Sequence, residues 1–311
     1  MNDPFFIIAG ERRSGSTTLY DVLGQHPEVG MLPISDFDFF IEPELFSRTP
    51  PSEKFPIKDW ETTHPKEKYV SLFSDLSGVT GQKDADLFWW KPAHQRLARL
   101  LPKTRFIIVL RDPVKRAESQ FFNETSKGRE TRTFEEALKR DASENLLDWE
   151  RLHLVYKSRG CYAESLQHFF GYIPRDRVKV IILEEWMDRW EMVMREICQF
   201  LKIDPEKAPT KPLHSNKEHL LMRRSFASKG MLKPCFDYWE RISEGIIIRT
   251  VHSKSERDKW RKFFQGFYKK SLRKKRFMDP KTKRELMNFY VPHNKALEVL
   301  LGKKISYWNY D

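Results

Sequence analysis

The sequence is short of cysteine, with three among 311 residues, at positions 161, 198 and 235. Three is an odd number, the spacing is wide and no metal-ligand pattern surrounds them, which argues against a disulfide framework and points to a reducing compartment. Long apolar runs are missing too. None approaches the ~20 residues needed to span a bilayer, and no basic segment precedes the short run Phe5 to Ala9, as a signal peptide would require. A cytoplasmic chain with no membrane association is the expectation. There is no internal repeat and no low-complexity tract. Acidic residues are the minority sign, 44 against 56 Lys and Arg, for a net charge of +12. That excess suits an anionic ligand, an anionic polymer or a membrane surface, without choosing among them. The densest basic run, Lys269 to Arg276, has no recognised nucleic-acid motif beside it, so no nucleic-acid partner is expected.

Three apolar runs read as buried parallel strands: Phe5 to Ala9, Phe106 to Leu110 and Val178 to Leu183. Each leads through a turn into a helical pattern. Leu19, Val22 and Leu23 fall at helical spacing after the first. Asp112 and Pro113 supply a cap and an N1 proline after the second. Met194, Ile197, Cys198 and Leu201 form one stripe after the third. This alternation predicts an α/β fold: a single domain over residues 1–311 with a central parallel sheet flanked by helices. Ser47 to Asp86 reads as loops with a short helix near Pro65 to Phe73. Ser253 to Tyr268 reads as a charged amphipathic helix.

The turn after the first strand, Gly10 to Thr18, nearly spells the phosphate-binding pattern G-x-x-x-x-G-K-[ST], but Ser16 stands where that pattern has lysine. A Gly-rich turn between a strand and a helix aims backbone N–H groups and the helix dipole at one point, which binds oxyanions. Gly15 permits close approach, and Ser16, Thr17 and Thr18 add hydroxyls. The second strand ends in Arg111 rather than an acidic Mg²⁺ ligand. Triphosphate chemistry, which needs that lysine and that metal, is therefore disfavoured, and a kinase reading with it.

The stretches Arg12 to Pro27 and Arg105 to Phe121 together resemble the sulfotransferases that use 3′-phosphoadenosine 5′-phosphosulfate (PAPS). Trp90 to Ala93, Gly160-Cys161-Tyr162, Val180 to Glu184 and Asp279 to Asn294 add likeness to the glycan branch, typified by heparan sulfate sulfotransferases. The resemblance implies a P-loop-like fold, PAPS as donor, adenosine 3′,5′-bisphosphate as product and no metal requirement. It implies that Arg12, Arg13, Ser14, Gly15, Ser16, Thr17 and Thr18 hold the 5′-phosphosulfate. Arg111 and Ser119 would grip the 3′-phosphate, with Arg276, in the run Arg273 to Arg276, as a further contact. Arg13 occupies the family's loop-lysine position; an arginine there stabilises charge but gives up no proton near neutral pH. Asp36, and next Asp38, match the family's base, and Lys91 matches a lysine at the donor–acceptor junction. His26 and Pro27 read as structural.

For the acceptor, the acids Asp36, Asp38, Glu42 and Glu44 near the expected base favour a neutral or cationic small molecule, with a glycan as the alternative. Phe37, Phe39, Phe40, Trp89 and Trp90 are candidates for a pocket wall or for core. A non-catalytic binder of anionic polymers is the reading from another class; it predicts salt-dependent binding without turnover.

Overall fold

The computed structural model describes residues 5–33, 39–42, 66–141, 143, 145–209, 278–308 and 310. Five strands form one parallel sheet in the order β2-β3-β1-β4-β5. They are β1 (Phe6–Gly10), β2 (Val29–Met31), β3 (Val79–Lys83), β4 (Arg105–Leu110) and β5 (Val178–Ile182). The helices are α1 (Ser16–Leu23), α2 (Lys66–Ser71), α3 (Lys91–Leu100), α4 (Pro113–Ser126), α5 (Phe134–Arg140), α6 (Asp148–His153), α7 (Tyr162–Phe170), α8 (Leu183–Asp188), α9 (Trp190–Leu201) and α10 (Pro280–Leu301). The α/β class and the central parallel sheet agree with the sequence reading.

Side chains alternate across the strands, so each central strand feeds two cores. Ile7, Ala9, Phe106, Ile108, Leu110 and Ile182 face one side, where α3, α4, α7 and α10 cover them through Leu97, Ala117, Leu166 and Tyr290. Phe6, Ile8, Ile107, Val109 and Ile181 face the other side, under Leu19 and Val22 of α1 and Met194, Ile197 and Leu201 of α9. The stripe Met194, Ile197, Cys198 and Leu201 lies on α9 and is core. Asp112 caps α4, its Oδ1 accepting from Val114 N at 2.9 Å and Lys115 N at 3.2 Å. His26 is structural: Glu28 N donates to Nδ1 at 3.2 Å, which leaves Nε2 to donate to Asp204 O at 2.8 Å.

Residues 47–86 need correction in part, because β3 runs through their C-terminal end where loops were expected. Gly81 permits it: β3 lies against β1 with Phe6 opposite Gly81, and a Cβ there would overlap the Phe6 ring. The amphipathic pattern at 253–268 and the basic run at 269–276 lie outside the described residues. Among the described residues no helix is long and apolar enough to cross a membrane.

Candidate active site

In an open parallel sheet, ligands sit outside the carboxyl ends of the strands where the strand order reverses. Here that point lies around β1, which has β3 on one side and β4 on the other. Three sequence segments end there: β1 in Gly10, β3 in Lys83, and β4 in Leu110 followed by Arg111.

The loop from Gly10 to Gly15 is shaped by backbone constraints. Glu11 N still bonds Val109 O of β4 at 2.8 Å, and Ser14 N turns back to Glu11 O at 3.1 Å. Gly15 has φ +95°, and a Cβ there would stand 2.7 Å from Leu183 Cδ1. Arg13 adopts φ 66°, a left-handed conformation that costs a side-chain-bearing residue about 1–2 kcal/mol. Gly15 caps α1 without a side-chain bond, so the first amides of α1, at Ser16, Thr17 and Thr18, have no intrahelical acceptor. Ser14 is wholly buried, and its Oγ has no hydrogen-bond partner.

Arg13, Ser119 and Arg111, which stand far apart in sequence, meet here. Arg13 Nε donates to Ser119 Oγ at 3.1 Å, and Arg111 Nη1 donates to Arg13 O at 3.1 Å. Ser119 is buried at the middle of α4, and Tyr162 Oη fixes the Arg111 carbonyl at 2.8 Å. Among the described residues no carboxylate pairs with Arg111. Unsatisfied backbone amides, two hydroxyls and two guanidiniums around this loop are the donor and charge types that anions bind.

Arg12 sits differently. Its guanidinium bonds Asp86 Oδ2 at 2.5 Å and His153 Nδ1 at 2.9 Å, and its backbone N–H goes to Glu11 Oε1 at 2.7 Å. Burial pulls the Asp86 carboxyl up, but the Arg12 and Arg159 guanidiniums outweigh it and hold the group at about 2. Burial, reinforced by Arg12 and Arg129, holds His153 down at about 3, so its neutral ring accepts from both cations.

Lys91 is exposed in the first turn of α3, where its charge acts on His94 and His168. Lys83, absent from the sequence reading, is 2% exposed at the end of β3, in register with Ile8 of β1. The one sequence cue to it is a cation closing the uncharged stretch Val79 to Gln82. Asp36, Asp38 and Arg276 lie outside the described residues. Glu42 turns from the expected acceptor side into the fold: Arg96 Nη2 reaches its Oε1 at 2.6 Å and Trp90 Nε1 donates to its Oε2 at 3.0 Å. Phe39, Phe40 and Trp90 are core residues. Phe37 and Glu44 lie outside the described residues.

A family model described as Sulfotransferase family matches residues 4–207, more than half of the chain. The bifunctional heparan sulfate N-deacetylase/N-sulfotransferase of Drosophila melanogaster is 25% identical over 311 residues, covering 96% of this chain and 26% of that protein. Human heparan sulfate glucosamine 3-O-sulfotransferase 3B1 is 26% identical over 179 residues, 55% of this chain and 39% of that one. The chain thus spans well under half the length of these curated relatives. A crystal structure of a sulfotransferase from Alicyclobacillus acidocaldarius superposes with a TM-score of 0.64 at 21% identity, covering 99% of each chain, and shows the same fold.

Proposed function

Because the chain belongs to the sulfotransferase family, we propose that it moves a sulfuryl group from PAPS to a hydroxyl or amine of a sugar-type acceptor, as one domain over residues 1–311. The observation that carries this reading is the meeting of Arg13, Ser119 and Arg111 beside the Gly10–Gly15 loop. PAPS presents two separate phosphate groups, and the cradle and the Arg111–Ser119 pair are two anion positions that share one arginine. The buried, unpartnered Ser14 hydroxyl fits the same donor, since it is a hydrogen-bond donor waiting for an acceptor.

The donor supplies the sulfuryl group on a phosphate leaving group. The acceptor oxygen or nitrogen forms a bond to sulfur as the bridging oxygen–sulfur bond breaks, and the electron pair stays with the phosphate. Ser14, Gly15, Ser16, Thr17 and Thr18 hold that phosphate by N–H and O–H groups. Arg13 offsets the charge that grows on it, and being fixed as a cation it acts by electrostatics alone. Arg111 and Ser119 hold the 3′-phosphate, with Arg276 as the further contact. Lys83, or Lys91 as read from the sequence, steadies the sulfuryl oxygens. Asp36, or Asp38, accepts the acceptor's proton. Cations stand at both phosphate positions, so no step calls for a metal ion.

For the acceptor, the names of the relatives support a glycan of the heparan sulfate kind. The case for a cationic small molecule rested on a run of acids, and Glu42 of that run is paired with Arg96. The test is thermal stability with adenosine 3′,5′-bisphosphate against AMP, ADP and Mg²⁺-ATP at equal concentration; a ligand at a hundred times its Kd stabilises the native state by about 2.7 kcal/mol. Selective stabilisation by the bisphosphate, reduced by Arg111→Ala or Ser119→Ala, is expected. Selective stabilisation by Mg²⁺-ATP would overturn the reading.

A further inference from the structure

Behind the loop lies a network of charge that the reaction does not use. It contains three guanidiniums, Arg12, Arg129 and Arg159, the Lys127 ammonium 3.5 Å from Glu124, and three carboxylates, Glu11, Asp86 and Glu124, around the neutral His153. Arg159 is wholly buried and joins two elements of the site: its Nη2 lies 2.5 Å from Glu11 Oε1 and 3.0 Å from Asp86 Oδ1. Asp86 in turn holds Arg12 at 2.5 Å, and Arg129 holds Glu124 at 3.2 Å. Arg159 Nη1 and Arg12 Nη1 both donate to Leu152 O, at 2.8 and 3.4 Å.

From this arrangement we infer that Arg12 is a positioning residue: through Asp86, Arg159 and Glu11 it locks the loop into its donor-ready shape before any donor arrives. The inference rests on the donor reading above. The physical reason lies in the loop itself. Arg13 is held in a left-handed conformation between Glu11 and Gly15, and such a conformation persists only where its surroundings over-determine it. The network does so from the preceding two residues. Glu11 is fixed by Arg159 from its side chain and by Val109 O from its backbone, and Arg12 is fixed by Asp86. With both residues anchored, Arg13 is left facing Ser119. Arg12 and Arg13, adjacent cations in the sequence, thus have opposite duties. One neutralises buried carboxylates and the other meets the ligand.

The test is a double-mutant cycle on adenosine 3′,5′-bisphosphate affinity with Arg12→Gln, Asp86→Asn and the pair, each checked for folding by melting temperature. If Arg12 acts through Asp86, each single change weakens binding about tenfold and the double variant is no weaker than either single, because residues of one ion-pair network couple. Additive losses would mean that Arg12 contacts the ligand directly, and would overturn the inference. Hydrogen exchange at the Glu11, Arg12 and Ser14 amides of the wild-type loop, which bond Val109 O, Glu11 Oε1 and Glu11 O, needs no variant. Protection already present in the free protein and little changed by the bisphosphate is expected. Protection that arises only on binding would overturn the inference even if the variants do not fold. Wild-type protein that fails to bind the bisphosphate at all sinks the donor reading instead, a result distinct from either.

Discussion

Two lysines compete for one role beside the loop, and their surroundings separate them. Lys83 is buried at the end of β3, one strand over from the loop, whereas Lys91 is exposed on α3 near a histidine pair. A buried cation within reach of a reacting group would be worth more than an exposed one, because water screens it less. Lys83→Met, which preserves volume, is expected to lower kcat by about a hundredfold, the usual loss for one preorganised charge-stabilising donor. Lys91→Ala is expected to change it by less than about threefold. Steady-state kinetics on both variants check this. His153 makes a second prediction at this scale. Its ring faces Arg12, Arg129, Glu124 and Asp86, and its pKa is held down from 6.5 to about 3. The unfolded chain therefore takes up a proton that the folded chain refuses, and stability falls as pH drops from 6.5 toward 3. Melting temperatures measured down this range should fall, and His153→Asn, which keeps an acceptor but no titration, should flatten the fall.

Among the elements, the strand-to-helix turn carries the most constraint per residue. Gly15 combines φ +95° with a Leu183 methyl 2.7 Å from where a Cβ would stand. Gly15→Ala should therefore do two things: lower stability by about 1–3 kcal/mol through the strained backbone, seen as a lower urea midpoint, and displace the first amides of α1, seen as lost bisphosphate binding. How much of this was legible beforehand follows from the same physics. β1, β4 and β5 are visible because strands buried on both faces read as unbroken apolar runs. β2 and β3 are not, because a three-residue edge strand and a strand containing Gly81, Gln82 and Lys83 have neither length nor apolarity to announce them. Arg13, Ser119 and Arg111 came from motifs, whose spacing is local. The Arg12 network did not, since Glu11, Asp86 and Arg159 are joined only by the closing of the sheet. The motif marks Arg13 as the loop cation, but nothing in the sequence says that Arg12 beside it turns inward.

Seen across the whole molecule, the charge has a location as well as a size. The network around Arg12 sets four cations, Arg12, Arg129, Arg159 and Lys127, against three carboxylates, so it supplies only +1 of the net charge of +12. The rest of that excess belongs to residues outside it, and a net positive chain attracts polyanions from solution. A polyanionic glycan would feel it over many contacts at once. A neutral sugar would not, and the bisphosphate, held at a partly buried site, would be screened less than the polymer. Binding of a heparan sulfate chain is therefore expected to weaken at least tenfold between about 50 and about 200 mM salt, as polyanion binding by several exposed cations does, while bisphosphate binding changes less. Titrations of both ligands across that range, in one buffer, measure the two slopes. A steep slope for the polymer together with sulfate incorporation into it assigns the acceptor class. A flat slope together with turnover of a neutral sugar moves the acceptor to an uncharged saccharide and leaves the surface charge to some other partner.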